Sequence, residues 1–217
     1  MHKVIPKDKY KILKKLNTPA KIQDFLNDME MNFEENGDAV LSPMTVLEKG
    51  ICHCIEAAIL AALALRVHGY PPLVIDLTAN SKDYDHVVTV FKKDGKWGAI
   101  SKTNHAVLRY REPVYNTIRE LVLSYFHEYT NNEDGKKTLR SYTRPVNLKR
   151  FDRLGWMTTK DEVFYIAQYL ADIKHTPILT KKQIMGLRRL DDVEIEAGKI
   201  TQYSMEKTKK QAIIKPS

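Results

Sequence analysis

GICHCIEAAILAALALRVHGYPP, residues Gly50 to Pro72, holds the two cysteines of this 217-residue chain at the start of a small-residue apolar run that stops at Gly-Tyr-Pro-Pro. The run reads as a buried helix ended by a turn. A short strand follows, PLVIDL from Pro72 to Leu77, then a polar loop that closes on Asp85-His86 and opens a second strand, HVVTVFKK. A thiol at a helix start and a histidine at a strand start are thereby joined through one sheet. The first turn of a helix presents unpaired N–H groups and the positive end of the dipole, which favours a thiolate. A histidine in hydrogen-bond reach completes the activation, first as base and then as acid.

Counting forward from Cys54, an alanine stands four residues on (Ala58), an arginine twelve (Arg66), a glycine fifteen (Gly69) and a proline seventeen (Pro71). The series resembles the transglutaminase-like superfamily of papain-like fold, in which the helix of the nucleophilic cysteine ends in Arg-x-x-Gly-x-Pro and leads to the strands carrying His and Asp. The resemblance makes Cys54, not Cys52, the nucleophile and His86 its partner. Asp94-Gly95 between two apolar runs is an independent hairpin signal, and Trp97 falls where the family has its tryptophan. Four residues later, at the family's aspartate, stands Ser101. A hydroxyl orients an imidazole but gives an imidazolium less electrostatic support than a carboxylate does. Asn104, Ser101, Asp85 and Asp83 all remain open as the third residue. The match runs from about Gly50 to Pro145, and its longer strings, including Trp97 to His105 and Leu108 to Pro113, also resemble a group of bacterial transglutaminase-like proteins.

The same residues have plainer structural roles open to them. Cys52 packs, and a free cysteine in general is a small buried hydrophobe. Glu56 reads as a first-turn dipole partner close enough to the thiol to raise its pKa, and His53 as a surface or capping side chain. Cys52, His53 and Cys54 with His86 and His105 can be drawn as a zinc site, but the second closely spaced ligand pair of a structural zinc site is missing. The expectation is no metal and no cofactor.

The net charge of +8 is concentrated at the ends. Residues 1–15 carry six lysines and one aspartate, residues 199–217 five lysines and one glutamate, and the stretch between them is close to neutral. That argues against a nucleic-acid groove. The longest apolar stretch, Ala57 to Leu65, is too short to span a bilayer, no secretory signal opens the chain, and cysteines two residues apart do not bridge readily. The expectation is a cytoplasmic protein with reduced thiols and no membrane segment.

Elsewhere, Thr18-Pro19 predicts a helix start with Ile22, Phe25, Leu26, Met29 and Phe33 on one face and Asn36-Gly37 as its stop. Ala106 to Tyr110 predicts a strand, and Val114 onward an amphipathic helix through Ile118, Leu121, Val122, Tyr125 and Tyr129. Seven of the ten arginines lie between Arg109 and Arg153, where pairing with local acids outweighs binding of a substrate anion. Asn131 to Leu148 reads as an extended excursion. Thr159-Lys-Asp-Glu162 and Thr180-Lys-Lys-Gln183 read as capping boxes.

The sequence therefore predicts an α+β fold, with a transglutaminase-like core in which the Cys helix packs on an antiparallel sheet of three to five strands, plus N- and C-terminal helices. Residues 1–17 read as a basic arm, 18–198 as one domain and 199–217 as a basic, mobile tail. The resemblance implies a cysteine-dependent amide or ester hydrolase acting on a protein, peptide or small amide, with hydrolysis favoured over acyl transfer. The alternative is a binding or scaffold protein that keeps the fold without the chemistry.

Overall fold

The computed structural model describes residues 4–33 and 39–203. Helices α1 (Lys7–Lys15) and α2 (Pro19–Asn27) come first, then β1 (Glu30–Met31), α3 (Pro43–Lys49), β2 (Ile51–Cys52) and α4 (Cys54–Val67). Strands β3 (Leu73–Ala79), β4 (His86–Lys93), β5 (Lys96–Ile100) and β6 (Arg111–Tyr115) precede α5 (Ile118–Leu123). The pair β7 (Thr130–Asn131) and β8 (Lys136–Lys137) leads to β9 (Leu139–Thr143) and β10 (Val146–Asn147). A 3-10 helix η1 (Leu148–Leu154), α6 (Phe164–Asp172), β11 (His175–Pro177), α7 (Lys181–Met185) and α8 (Asp192–Gly198) complete the described chain.

The fold is α+β. One antiparallel sheet runs in the order β11-β9-β3-β4-β5-β6, with β10 pairing the start of β3, seven strands in all. It exceeds the expected three to five because residues 139–177, read from sequence as a loop excursion and the end of a helix, supply β9, β10 and β11. The β4–β5 hairpin turns at Asp94 and Gly95, both at positive φ (49° and 78°). That is the backbone an Asp-Gly two-residue turn provides at least cost.

The sheet is buried on both faces. Val74, Val87 and Phe91 face α4 and the other N-terminal helices. Ile75, Leu77, Val88 and Val90 face Leu121, Val122, Tyr125 and Tyr129. Burial on both sides is why His86 to Phe91 reads as a nearly continuous apolar run. Helix α4 is buried throughout from Ile55 to Leu65, and its alanines let β4 close in until Thr89 Oγ1 donates to the Ala58 carbonyl at 2.5 Å. At its C-terminal end Arg66 binds Asp152 of η1 through two N–H···O bonds of 2.6 and 2.8 Å. This guanidinium is the first cause of an Asp152 carboxyl held below its ordinary range.

Several local expectations shift. The basic arm is not free: α1 buries Leu13, whose carbonyl lies 2.9 Å from His68 Nε2. Helix α2 starts at Pro19 with Thr18 as its cap, as the sequence predicts, but ends at Asn27; Asn36-Gly37 lies outside the described residues. Val114 belongs to strand β6 and is largely exposed, and the following helix begins only after the Thr117 cap. Thr159 pairs with Asp161 instead of capping α6, which starts at Phe164. Thr180 and Gln183 do form the expected box at α7. Of the presumed tail, residues 199–203 are fastened: Tyr203 bonds Asn104 through its backbone and the Asn27 and Met29 carbonyls through its hydroxyl. Residues 204–217 lie outside the described part. Among the described residues no helix is long and apolar enough to cross a membrane.

Candidate functional site

Local chemistry builds the start of α4. His53 is extended (φ −102°, ψ −171°) and serves as the N-cap. Three residues on, the Glu56 carboxylate accepts the His53 N–H at 2.9 Å and closes the first turn. It also accepts the Leu41 N–H at 2.9 Å and the Asn32 side-chain amide at 3.0 and 3.1 Å. Glu56 is fully buried, and a buried charge holds its place only where such donors replace water. One carboxylate thus gathers three segments against the helix start. Its role is larger than the dipole partner expected.

Cys54, at the first helical position, is partly exposed. Its Sγ lies 4.0 Å from His53 Nδ1. Burial alone raises this thiol, but hydrogen bonds and positive charge from His53 and then His86 outweigh it and hold the group well below its ordinary value. Cys52, by contrast, is buried with its Sγ 3.7 Å from Met29 Sδ, and burial pushes its thiol up to about 12. Glu56 acts as the expected antagonist on this neighbouring thiol, where its charge adds to the rise of Cys52.

His86 opens β4 and is almost wholly buried. Its Nε2 lies 2.7 Å from Ser101 Oγ, at the end of β5. The hydroxyl has one proton, and the Leu108 carbonyl 2.5 Å away can only accept it. Ser101 therefore accepts from His86 Nε2–H, which leaves Nδ1 as the basic nitrogen and the one available to the Cys54 sulfur. Ser101 is itself held by Gln23 of α2: the Gln23 amide donates to the Ser101 carbonyl at 2.8 Å and accepts its N–H at 2.9 Å. Next to it, buried Lys102 donates to the Leu26 and Met29 carbonyls at 2.8 and 2.6 Å, capping the end of α2.

The other candidates for the third position have different partners. Asn104 makes a reciprocal pair with the backbone of Tyr203, at 2.9 and 2.8 Å. Asp85 accepts the Ala79 N–H at 2.8 Å, and Asp83 takes the Tyr84 N–H at 2.9 Å and the Thr138 hydroxyl at 2.5 Å. His105, drawn with the cysteines as a zinc site, has Nδ1 3.1 Å from the Gly198 carbonyl. Among the described residues no cluster of three or more His, Cys, Asp or Glu side chains is arranged to hold a metal. A groove of about 530 Å³ opens at His86, with Tyr84, Asp85, Leu108, Glu128 and Tyr129 in its walls.

Sequence reasoning missed Gln23, Lys102 and Asn32, and read His53 as a surface or capping side chain without its contact to Cys54. Gln23 carried a weak signal, a polar side chain beside the apolar residues of α2. Comparison with protein-family models and with curated proteins found no match for this chain.

Proposed function

We propose that the chain is a cysteine-dependent amide or ester hydrolase of transglutaminase-like, papain-like type, with Cys54 as nucleophile and His86 as general base and acid. The observation that carries this reading is a cysteine at the first position of α4, on whose thiol His86 acts by hydrogen bond and charge, with the tautomer of that imidazole set by Ser101. The thiol proton passes to His86 Nδ1, and the thiolate attacks the substrate carbonyl carbon while the C=O electron pair moves to oxygen. Backbone N–H groups at the start of α4 face that developing charge. As the intermediate collapses, the C–N or C–O bond breaks, His86 returns its proton to the leaving group, and a thioester on Cys54 remains. Water then attacks the thioester, gives a proton to His86, and releases the acid as the C–S bond breaks. The groove of about 530 Å³ meets this pair on its His86 side and is not lined by Cys54.

The test is the pH dependence of iodoacetamide alkylation, mapped by peptide mass analysis, in the parent and in His86→Ala. Cys54 is expected to react at pH 6–7 while Cys52, buried and at about 12, stays unmodified. His86→Ala is expected to slow Cys54 about tenfold or more at pH 6, since each unit of upward pKa shift is a factor of ten in thiolate below the pKa. A parent Cys54 that titrates like an ordinary thiol, near 8.5, leaves the scaffold reading suggested by Ser101.

A further inference from the structure

The Cys54 sulfur has a second imidazole beside it, and this one has a carboxylate behind it. His53 Nδ1 faces Sγ at 4.0 Å, while Nε2 lies 3.3 Å from the Ala39 carbonyl and 3.6 Å from Glu56 Oε1. Both groups at Nε2 are acceptors, so that nitrogen carries a hydrogen. Once Cys54 is a thiolate, the group at Nδ1 is an acceptor too, and the ring is best satisfied with both nitrogens protonated. His86 differs in kind: its far nitrogen meets a neutral hydroxyl whose own proton is committed to Leu108. The carboxylate support that Ser101 cannot give is thus present on the opposite side of the sulfur, where fully buried Glu56 is held by Asn32, Leu41 and the His53 N–H.

We propose that His53, backed by Glu56, is the fixed positive counter-charge of the Cys54 thiolate, and that His86 is the mobile proton carrier. The inference rests on the hydrolase reading above and divides its two electrostatic tasks between two histidines. His53 makes no bond to substrate: an N–H bond forms at its Nδ1 with one proton taken from solvent as the thiolate forms and is kept through the cycle, while the thiol's own proton travels by way of His86. Glu56 is a positioning residue. Against the burial that raises it, the thiol is held low by both imidazoles, His53 first in hydrogen bonding and His86 first in charge. Among the described residues, Asp76 and Tyr129 on the sheet side and Cys52 on its own segment also sense the thiolate, and all three are acids; the positive charge acting on the sulfur is that of His86 and His53.

The experiment is the same alkylation profile in the full chain carrying His53→Asn, which keeps a good helix cap and removes the imidazole, and in Glu56→Gln. His53→Asn is expected to slow Cys54 about tenfold or more at pH 6, and to converge with the parent to within about threefold at pH 9, where the thiolate forms unaided. Glu56→Gln is expected to move the profile in the same direction by a smaller amount. General loosening of the fold would instead expose Cys52 and raise rates across the range, and His53→Gln repeats the test should the asparagine variant fail to fold. A His53→Asn profile that overlays the parent, with His86→Ala still shifting it, overturns the division of tasks and leaves the hydrolase reading standing. An ordinary thiol in the parent overturns both.

Discussion

Ser101 is the residue on which the candidate chemistry turns. A hydroxyl that donates to the Leu108 carbonyl and accepts from His86 selects the tautomer without adding charge. In Ser101→Ala the His86 Nε2–H stays in a nearly closed site with no partner, at a cost of about 1–3 kcal/mol. The expected result is a fall of about tenfold in the alkylation rate of Cys54 at neutral pH with the protein still folded. An unchanged rate would show that His86 is held by packing alone. Asn104→Ala is the control, since that side chain serves Tyr203, and the Cys54 rate should stay within about twofold of the parent, as befits a site outside the shared network.

At the scale of elements, α2 fixes the end of β5. Gln23 pairs with both backbone groups of Ser101, and Lys102 takes the carbonyls at the C-terminal end of the same helix. Gln23→Ala leaves a buried N–H and a buried C=O unpaired, a loss of about 2–4 kcal/mol. Urea unfolding should show it as a lower midpoint with an unchanged slope, and Cys54 reactivity should fall alongside because Ser101 loses its mooring. A stability change under about 0.5 kcal/mol would mean that β5 holds its end without the helix. Arg66 plays the matching part at the other end of α4, where its fork on Asp152, together with Trp156 Nε1 on the same carboxylate at 3.1 Å, ties the helix to η1.

For the molecule as a whole, one buried ion sets a pH dependence. Asp76 of β3 is 4 % exposed and lies 3.1 Å from His175 Nε2 of β11, while its other oxygen has no partner. Burial pushes its carboxyl from 3.8 up to about 6, against the hydrogen bond from His175. Between those values the native state binds the proton more tightly than the unfolded chain does, so this group's contribution is full below pH 4 and is lost as pH rises through about 6. The difference amounts to about 3 kcal/mol. Asp76→Asn is therefore expected to be as stable as the parent or more so at pH 7, and to flatten the decline in urea-unfolding free energy between pH 4 and pH 6. A variant that is less stable at pH 7 would show that the pair with His175 outweighs the burial of the charge.

Much was legible in the chain because it is local. The phased alanines and the Gly-Tyr-Pro-Pro stop define α4, Asp-Gly defines the β4–β5 turn, and the order Cys helix, His strand, Trp strand puts Cys54, His86 and Ser101 in one region. These features depend on backbone periods and turn conformations, which short windows of residues control. What joined them across distance was not legible. Ser101, and neither Asn104 nor the aspartates, stands behind His86 because of where β5 ends against α2, 78 residues away in sequence. His53 is the cap that its position indicated, but that its imidazole faces Cys54 with Glu56 behind it came only from the fold. Strands β9 and β10 looked like loop and β11 like the end of a helix because such short strands depend on their partners more than on a pattern of their own. Sequence by itself determined the central helix, the hairpin and the candidate pair Cys54 and His86; tertiary structure alone decided the third partners, since a hydrogen bond between distant segments is specified by the packing that brings them to 3 Å and leaves no periodic trace in either one.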